Sequence, residues 1–260
     1  MQHHADTIRG YVDSVVDRAE VLGVLVIGSV ARGTPREDSD VDVYLVVTDD
    51  AYAEGRARGR IAAVSQDGVT YPGGYVDIKL ASPGYLTTAA RQADDPTRAS
   101  FVGAEVALDK TGEIPEWISG IVTLPDDIWS KRVSAYRAQA RLYGGYFLKQ
   151  ADQLGDQFLL QHSAVHLALA AGRLALAKHR RFFSGQKYLT AELAGLDLPE
   201  RFRTSWGHVV AAPSAAIGQH LLDAIVAWLG PPEPFEAQLS RFISDNELAW
   251  LNGTIPPEYW

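Results

Sequence analysis

Two aspartates stand one residue apart at the head of an apolar run, Asp40 and Asp42 in GSVARGTPREDSDVDVYLVV (28–47). Strand residues alternate faces, so an extended chain turns both carboxylates to one side and sends Val41 and Val43 into the core. Their Cα atoms then lie ~6–7 Å apart. Carboxylates that close repel each other, and a cation has to hold them. A catalytic pair of divalent ions sits about 3.5–4 Å apart, within reach of such side chains. Asp77 stands in YVDIKL between apolar Val76 and Ile78, and joins the cluster if its strand runs beside 41–47. Three carboxylates on adjacent strands, with no obvious local basic partner, point to Mg²⁺, a hard ion bound by oxygen ligands and phosphate.

The same stretch offers donors for phosphate. Gly28-Ser29 follows a buried strand, where glycine lets the backbone approach a ligand closely. The Ser29 hydroxyl and nearby N–H groups suit phosphate oxygens. Arg32 and Gly33 come one turn later, as at the opening of a short helix. Taken singly, a Gly-Ser pair is a turn and an Asp-x-Asp is a strand cap. The combination is more specific: Gly-Ser after a buried strand, Arg-Gly, Ser-Asp-x-Asp opening a second strand, and a lone Asp inside a third. It reads as a metal–nucleotide site.

The rest of the chain must position these residues. Its 260 residues contain no cysteine, which removes disulfides and thiolate metal sites and fits a reducing compartment. The opening MQHHADTIRGYVDSVVDRAE lacks the basic start and apolar middle of a signal peptide. No apolar run approaches the ~18–20 residues of a membrane span, so a cytoplasmic protein without membrane contact is the expectation. The net charge of −8 is uneven: residues 1–125 hold 19 Asp/Glu against 11 Lys/Arg, and residues 126–260 hold 13 of each. An acidic first half disfavours a nucleic-acid backbone and suits metal cations or a cationic substrate.

Periodicity sets out the elements. A helix is expected over 5–20 from Ile8, Val12, Val15, Val16 and Ala19, then strands over 24–29 and 41–47. A helix at 52–66, weakened by two glycines, and strands at 73–82 and 103–109 follow. Beyond Pro125-Asp126-Asp127 the pattern becomes helical, at 127–150, 152–182, 214–229 and 234–249. The expected fold class is therefore an α+β, mixed-sheet domain over 1–124, followed by an all-α helical bundle over 125–260.

GSVARGTPREDSDVDVYLVV with the later YVDIKL resembles the nucleotidyltransferase superfamily related to DNA polymerase β, in particular its antibiotic nucleotidyltransferase-like branch. The matching residues are Gly28, Ser29, Arg32, Gly33, Asp40, Asp42 and Asp77. TRASFVGAEVALDKTGEI (97–114) also looks like the strand and turn that close the catalytic domain, and the strong resemblance covers roughly residues 20–115. It implies transfer of a nucleoside monophosphate from an NTP, ATP being usual in this branch, to an acceptor hydroxyl with loss of pyrophosphate. Asp40, Asp42 and Asp77 would be the catalytic residues and would ligate two Mg²⁺ ions; Asp77 would be third ligand, general base, or both. Ser29 would grip the terminal phosphates with Gly28 beside it, and Arg32 would either assist or pair with Glu37 or Asp38.

Between Asp156 and Glu192 there is no acidic residue, yet Arg173, Lys178, Arg180, Arg181 and Lys187 all fall there. These cations either serve the triphosphate, with Lys187 in SGQKYL the preferred ligand, or decorate a helix C-terminus and its dipole. His162 and His166 have zinc spacing, but without a third ligand they read as one face of a core or cleft helix. His3 and His4 fall at a chain end expected to be mobile, with no role. Trp206, Trp228, Trp250 and Trp260 read as packing residues.

Three functions follow. The first is nucleotidylation of a small-molecule hydroxyl, an aminoglycoside-like antibiotic leading. The second is a toxin-like nucleotidyltransferase acting on tRNA or protein, disfavoured for nucleic acid by the acidic first half. The third is a nucleotide-binding module with a dead site, opposed by three intact acidic residues. Many sites of the resembling family are completed by a second subunit, so an oligomer is allowed.

Overall fold

The apolar runs Val21–Ile27 (β1) and Val41–Val47 (β2) are central strands buried on both faces. The structure, a computed structural model, describes residues Met1–Trp260 and divides into two units, Met1–Thr123 and Leu124–Trp260. In the first unit, Ala62–Ser65 (β3), Val76–Ala81 (β4) and Glu105–Asp109 (β5) complete a five-stranded sheet in the order β3-β4-β2-β1-β5. β2 and β4 are parallel, while the other three pairings are antiparallel, so the sheet is mixed.

Alternation sorts the strand residues onto two cores. Val24, Val26, Val41, Val43, Val76 and Ile78 pack with Tyr11 and Val15 of the helix Gln2–Val15 (α1). On the opposite face Leu25, Ile27, Tyr44, Val46 and Ala81 lie under Leu86, Phe101, Ile114 and Ile121. Those come from Pro83–Gln92 (α4), Asp95–Phe101 (α5) and Ile114–Val122 (α6), after the short helices Gly28–Ala31 (α2) and Asp49–Ala57 (α3). Tyr44 and Phe101 stack with ring centroids 4.8 Å apart, closing this core beneath α5.

Two expected elements need correction. The helix expected at 52–66 is α3 followed by β3. Gly59, at φ +66, turns the chain in the left-handed region just past the end of α3. β3 then pairs with the open edge of β4, an edge strand whose largely exposed side chains leave no alternation to read. The strand expected at 24–29 ends at Ile27, and Gly28 and Ser29 already belong to α2.

The second unit is all helix. Asp126–Leu142 (α7) runs through a π-helical turn, Tyr143–Phe147, into Leu148–Leu154 (α8). Gly155, at φ +65, ends it, and Asp156 caps the next helix by accepting from Leu159 N–H at 3.0 Å. That helix, Gln157–Lys178 (α9), is central: every residue from Ala170 to Ala177 is buried. Leu189–Ala194 (α10) and Glu200–Ala211 (α11), not expected from the pattern, precede Ala215–Leu229 (α12) and Phe235–Phe242 (α13). A second π turn, Ile243–Glu247, leads to Ala249–Asn252 (α14). No helix is long and apolar enough to cross a membrane.

One buried cation ties the cover of the sheet together. Arg98 of α5 is only 3% exposed and donates to the carbonyls of Ala90 (3.1 Å), Ala93 (3.0 Å) and Ile121 (2.6 Å). These carbonyls sit at the C-terminal ends of α4 and α6, where backbone acceptors lack helical partners and cations are favoured. Arg98→Met should cost on the order of 3 kcal/mol in urea unfolding, since buried carbonyls lose their donors. A loss below about 0.5 kcal/mol, the level of an ordinary surface substitution, contradicts the clamp.

Candidate active site

The parallel register of β2 and β4 sets Asp42 directly beside Asp77. Both project on the face that carries Tyr44 and Val46, at the end of the strands where that apolar core stops. Asp40 precedes β2 on the same side. Each of the three carboxylates is half-buried and offers an oxygen, and these oxygens all lie within 4.8 Å of one another.

The neighbour that makes room is Gly28. Across the antiparallel β1–β2 pair Asp42 faces Ile27, and its carboxylate folds over the next residue. A Cβ at Gly28 would stand 2.1 Å from Asp42 Oδ2, and the backbone there has φ +72. Close approach and left-handed backbone both require glycine.

Burial, then the charge of Asp40 and more weakly that of Asp77, push the Asp42 carboxyl above its ordinary range, against the pull of Lys79 and Arg32. Lys79 is a site residue that the sequence reading missed. It lies two residues beyond Asp77, on the same strand face, and is exposed. The two-residue alternation in YVDIKL was the available signal.

The loop that delivers Asp40 is held by residues first given no role. His4 is 1% exposed, and its Nε2 bonds the Ser39 carbonyl at 3.1 Å, while the Tyr71 hydroxyl donates to the same oxygen at 2.6 Å. His3 packs its ring 4.5 Å from Tyr71 and bonds the Glu37 carbonyl. The expected idle N-terminal histidines are therefore structural: α1 begins at Gln2, and its first turn pins the segment between α2 and β2. The Tyr75 hydroxyl hydrogen-bonds the Asp40 carboxylate, which raises its own pKa.

Ser29 sits in the first turn of α2, where its carbonyl accepts from Thr34 N–H at 2.9 Å. Arg32 caps that helix with its side chain exposed. Asp38 is paired instead with Arg36, at 3.0 Å, so it is not the partner of Arg32.

In the helical unit the cations separate. Arg173 is buried, donates to the carbonyls of Pro257 (2.8 Å) and Trp260 (3.3 Å), and stacks on Phe183 at 4.2 Å. It anchors the C-terminal segment and so is neither of the two roles weighed for the cations of 173–187, a phosphate ligand or a solvated helix end. Arg180 pairs with Asp126. Lys187 is exposed, with its ammonium 5.1 Å from the Tyr188 ring. His162 and His166 pack ring to ring, and His166 meets Glu258 at 3.3 Å. Trp206, Trp228 and Trp260 are packed, whereas Trp250 is 78% exposed, contrary to expectation.

Two measurements test this geometry. Gly28→Ala should cost on the order of 1–2 kcal/mol of backbone strain, plus the displacement of Asp42. The cost should shrink when combined with Asp42→Ala, and additive costs would contradict the contact. Because Asp42 has a raised pKa, the folded state holds its proton more tightly than the unfolded chain. Ionisation of Asp42 therefore subtracts stability as pH rises through the ordinary value, about 3.9, to the raised one, and the deficit persists above it. In EDTA, Asp42→Asn should raise Tm at pH 7, with the gain fading towards pH 4; an unchanged Tm at pH 7 rejects the raised pKa of Asp42.

The profile of the nucleotidyltransferase domain family matches residues 8–143, which takes in the second half of α1, the whole sheet, the three carboxylates and all of α7. Among solved structures, a nucleotidyltransferase-like protein from Exiguobacterium sibiricum 255-15 is similar at 12% identity and a TM-score of 0.42. That alignment covers 96% of this chain and 87% of the other. At that distance nothing about function transfers. No curated protein matches the sequence. More than half of the chain fits one family profile, and the aspartates singled out by their spacing lie inside the matched span: the chain belongs to the nucleotidyltransferase domain family and is a nucleotidyltransferase.

Proposed function

We propose that this protein transfers a nucleoside monophosphate, AMP from ATP, to a hydroxyl of a small molecule, releasing pyrophosphate. The observation that carries the reading is the convergence of Asp40, Asp42 and Asp77 on one strand end, with oxygens within 4.8 Å. An all-oxygen set of three carboxylates without an ion-pair partner fits divalent magnesium. Bound there, two Mg²⁺ ions would supply charge neutralisation for the triphosphate and activation of the attacking hydroxyl.

The chain's own residues do the rest. Asp40 and Asp42 hold the cations, and Gly28 keeps the Asp42 carboxylate in place by leaving space for it. Asp77 is a further ligand. A role as general base is less favoured, because cations beside a carboxylate hold down its pKa. The Ser29 hydroxyl and exposed Arg32 donate to phosphate oxygens, and exposed Lys187 is the proposed cation of the helical unit. The acidic first unit supports a polycationic acceptor, an aminoglycoside-like antibiotic being the leading one. The exposed cations Lys178, Arg181 and Lys187 favour a second reading, tRNA or protein as acceptor.

Pyrophosphate release from each of the four NTPs with Mg²⁺, against a panel of aminoglycosides, tests the reading. Turnover with ATP and one antibiotic is expected, falling on the order of 100-fold or more in Asp42→Asn, at least the loss typical of weakening a metal site. Mg²⁺-dependent NTP binding without antibiotic turnover moves the acceptor to tRNA or protein. Absence of Mg²⁺-dependent NTP binding rejects the site.

A further inference from the structure

The helical unit contains a concavity walled entirely by its own residues. It has a volume of about 390 Å³ and lies between the later half of α7, the π turn, α12 and α13. That is within the usual size of small-molecule sites, about 300–1,000 Å³. Arg137, Arg141 and Lys149 line it against a single carboxylate, Asp223, with Tyr146 and Phe235 supplying aromatic surface.

The charges in this cavity are not consumed by ion pairs. Arg137 donates to the carbonyl of Gly230, a neutral acceptor, and burial weakens its hold on its proton. Arg141 donates to Gln238 Oε1 at 3.0 Å and stands 5.2 Å over the Phe235 ring. Lys149 is exposed. Of the nearby acids, Glu233 is engaged by Arg241 at 3.3 Å, and Asp223 accepts from Gln219 of its own helix at 2.9 Å. Three cations thus face one carboxylate that is already hydrogen-bonded.

The wall itself is a departure from regular helix. The π turn Tyr143–Phe147 inserts an extra residue into an otherwise continuous rod and brings Gly145 and Tyr146 to the cavity, Tyr146 with half its surface exposed. Such turns cost helical hydrogen-bond geometry and occur frequently at functional sites. An aromatic ring left in solvent beside unpaired guanidinium and ammonium groups matches a ligand with a flat body and a negative head.

We propose that this cavity is a binding site separate from the aspartate cluster, for a small organic anion that carries a phosphate or carboxylate on an aromatic or apolar body. The head group meets Arg141 and Lys149, with Arg137 behind them, and the body lies against Tyr146 and Phe235.

Calorimetric titration of the full chain in EDTA, with 1-naphthyl phosphate as probe, tests this. The probe should bind, inorganic phosphate and neutral 1-naphthol should bind much more weakly, and Arg141→Gln and Lys149→Gln should each raise Kd on the order of tenfold, the worth of one charge-assisted hydrogen bond. Lys149 is exposed, so its substitution leaves the fold intact. Asp42→Asn should leave Kd unchanged. No binding at millimolar probe, a Kd in both cation variants unchanged from that of the native chain, or equal affinity for naphthol each overturns the proposal. Loss of binding in Asp42→Asn overturns it too, by moving the probe to the aspartate cluster.

Discussion

The sheet of the first unit is organised around one costly juxtaposition, the parallel pairing of β2 and β4 that sets Asp42 beside Asp77 with Asp40 close by. Two apolar cores force it. Val41 and Val43 on one side, and Tyr44 and Val46 on the other, fix the register, because a one-residue slip would send every side chain to the wrong face. Asp42 and Asp77 cannot part without unpairing β2 from β4. Burial of Asp42, and after it the charge of Asp40 and Asp77, is stored in the fold, and the raised pKa of Asp42 is its electrostatic signature.

Much of the surrounding structure serves that constraint. Gly28 gives up a side chain so that the Asp42 carboxylate has somewhere to lie. The loop before β2 is tethered through one carbonyl oxygen, that of Ser39, by His4 from one side and Tyr71 from another. A buried imidazole and a phenol on a backbone carbonyl fix where Asp40 emerges without adding charge to a crowded site.

The helical unit follows a different logic. Its central helix α9 is alanine-rich and buried on all sides over Ala170–Ala177, so neighbours approach closely and the few polar residues inside must find partners. Arg173 does so on the carbonyls of the C-terminal segment. A run of cations in a sequence therefore does not indicate a charged surface. Arg173 is a buried anchor, Arg180 is ion-paired and Lys187 is exposed beside the Tyr188 ring, and nothing in their spacing distinguishes them. The same holds for the tryptophans, three of them packed and Trp250 exposed.

Where the reading rested on local pattern, the sequence alone was sufficient to place Asp40 and Asp42 on one face, and the pairing of β4 with β2 brought Asp77 to them. Alternation around Asp40 and Asp42 and the bare Asp77 in an apolar strand marked the site residues, because a strand has a two-residue period that survives without knowledge of its neighbours. The strong helices and central strands were legible for the same reason. What tertiary structure decided was everything that depends on a partner distant in the chain. The edge strand β3 exists because β4 offers an unpaired edge, and not through any pattern of its own. His4 became a structural residue because Ser39 lies 35 positions away across a helix–loop contact. Lys79 entered the site because pairing with β2 turned its face towards Asp42. Local period is a property of covalent geometry, whereas partnership is a property of the folded packing, and only the second could tell which of the chemically apt residues meet.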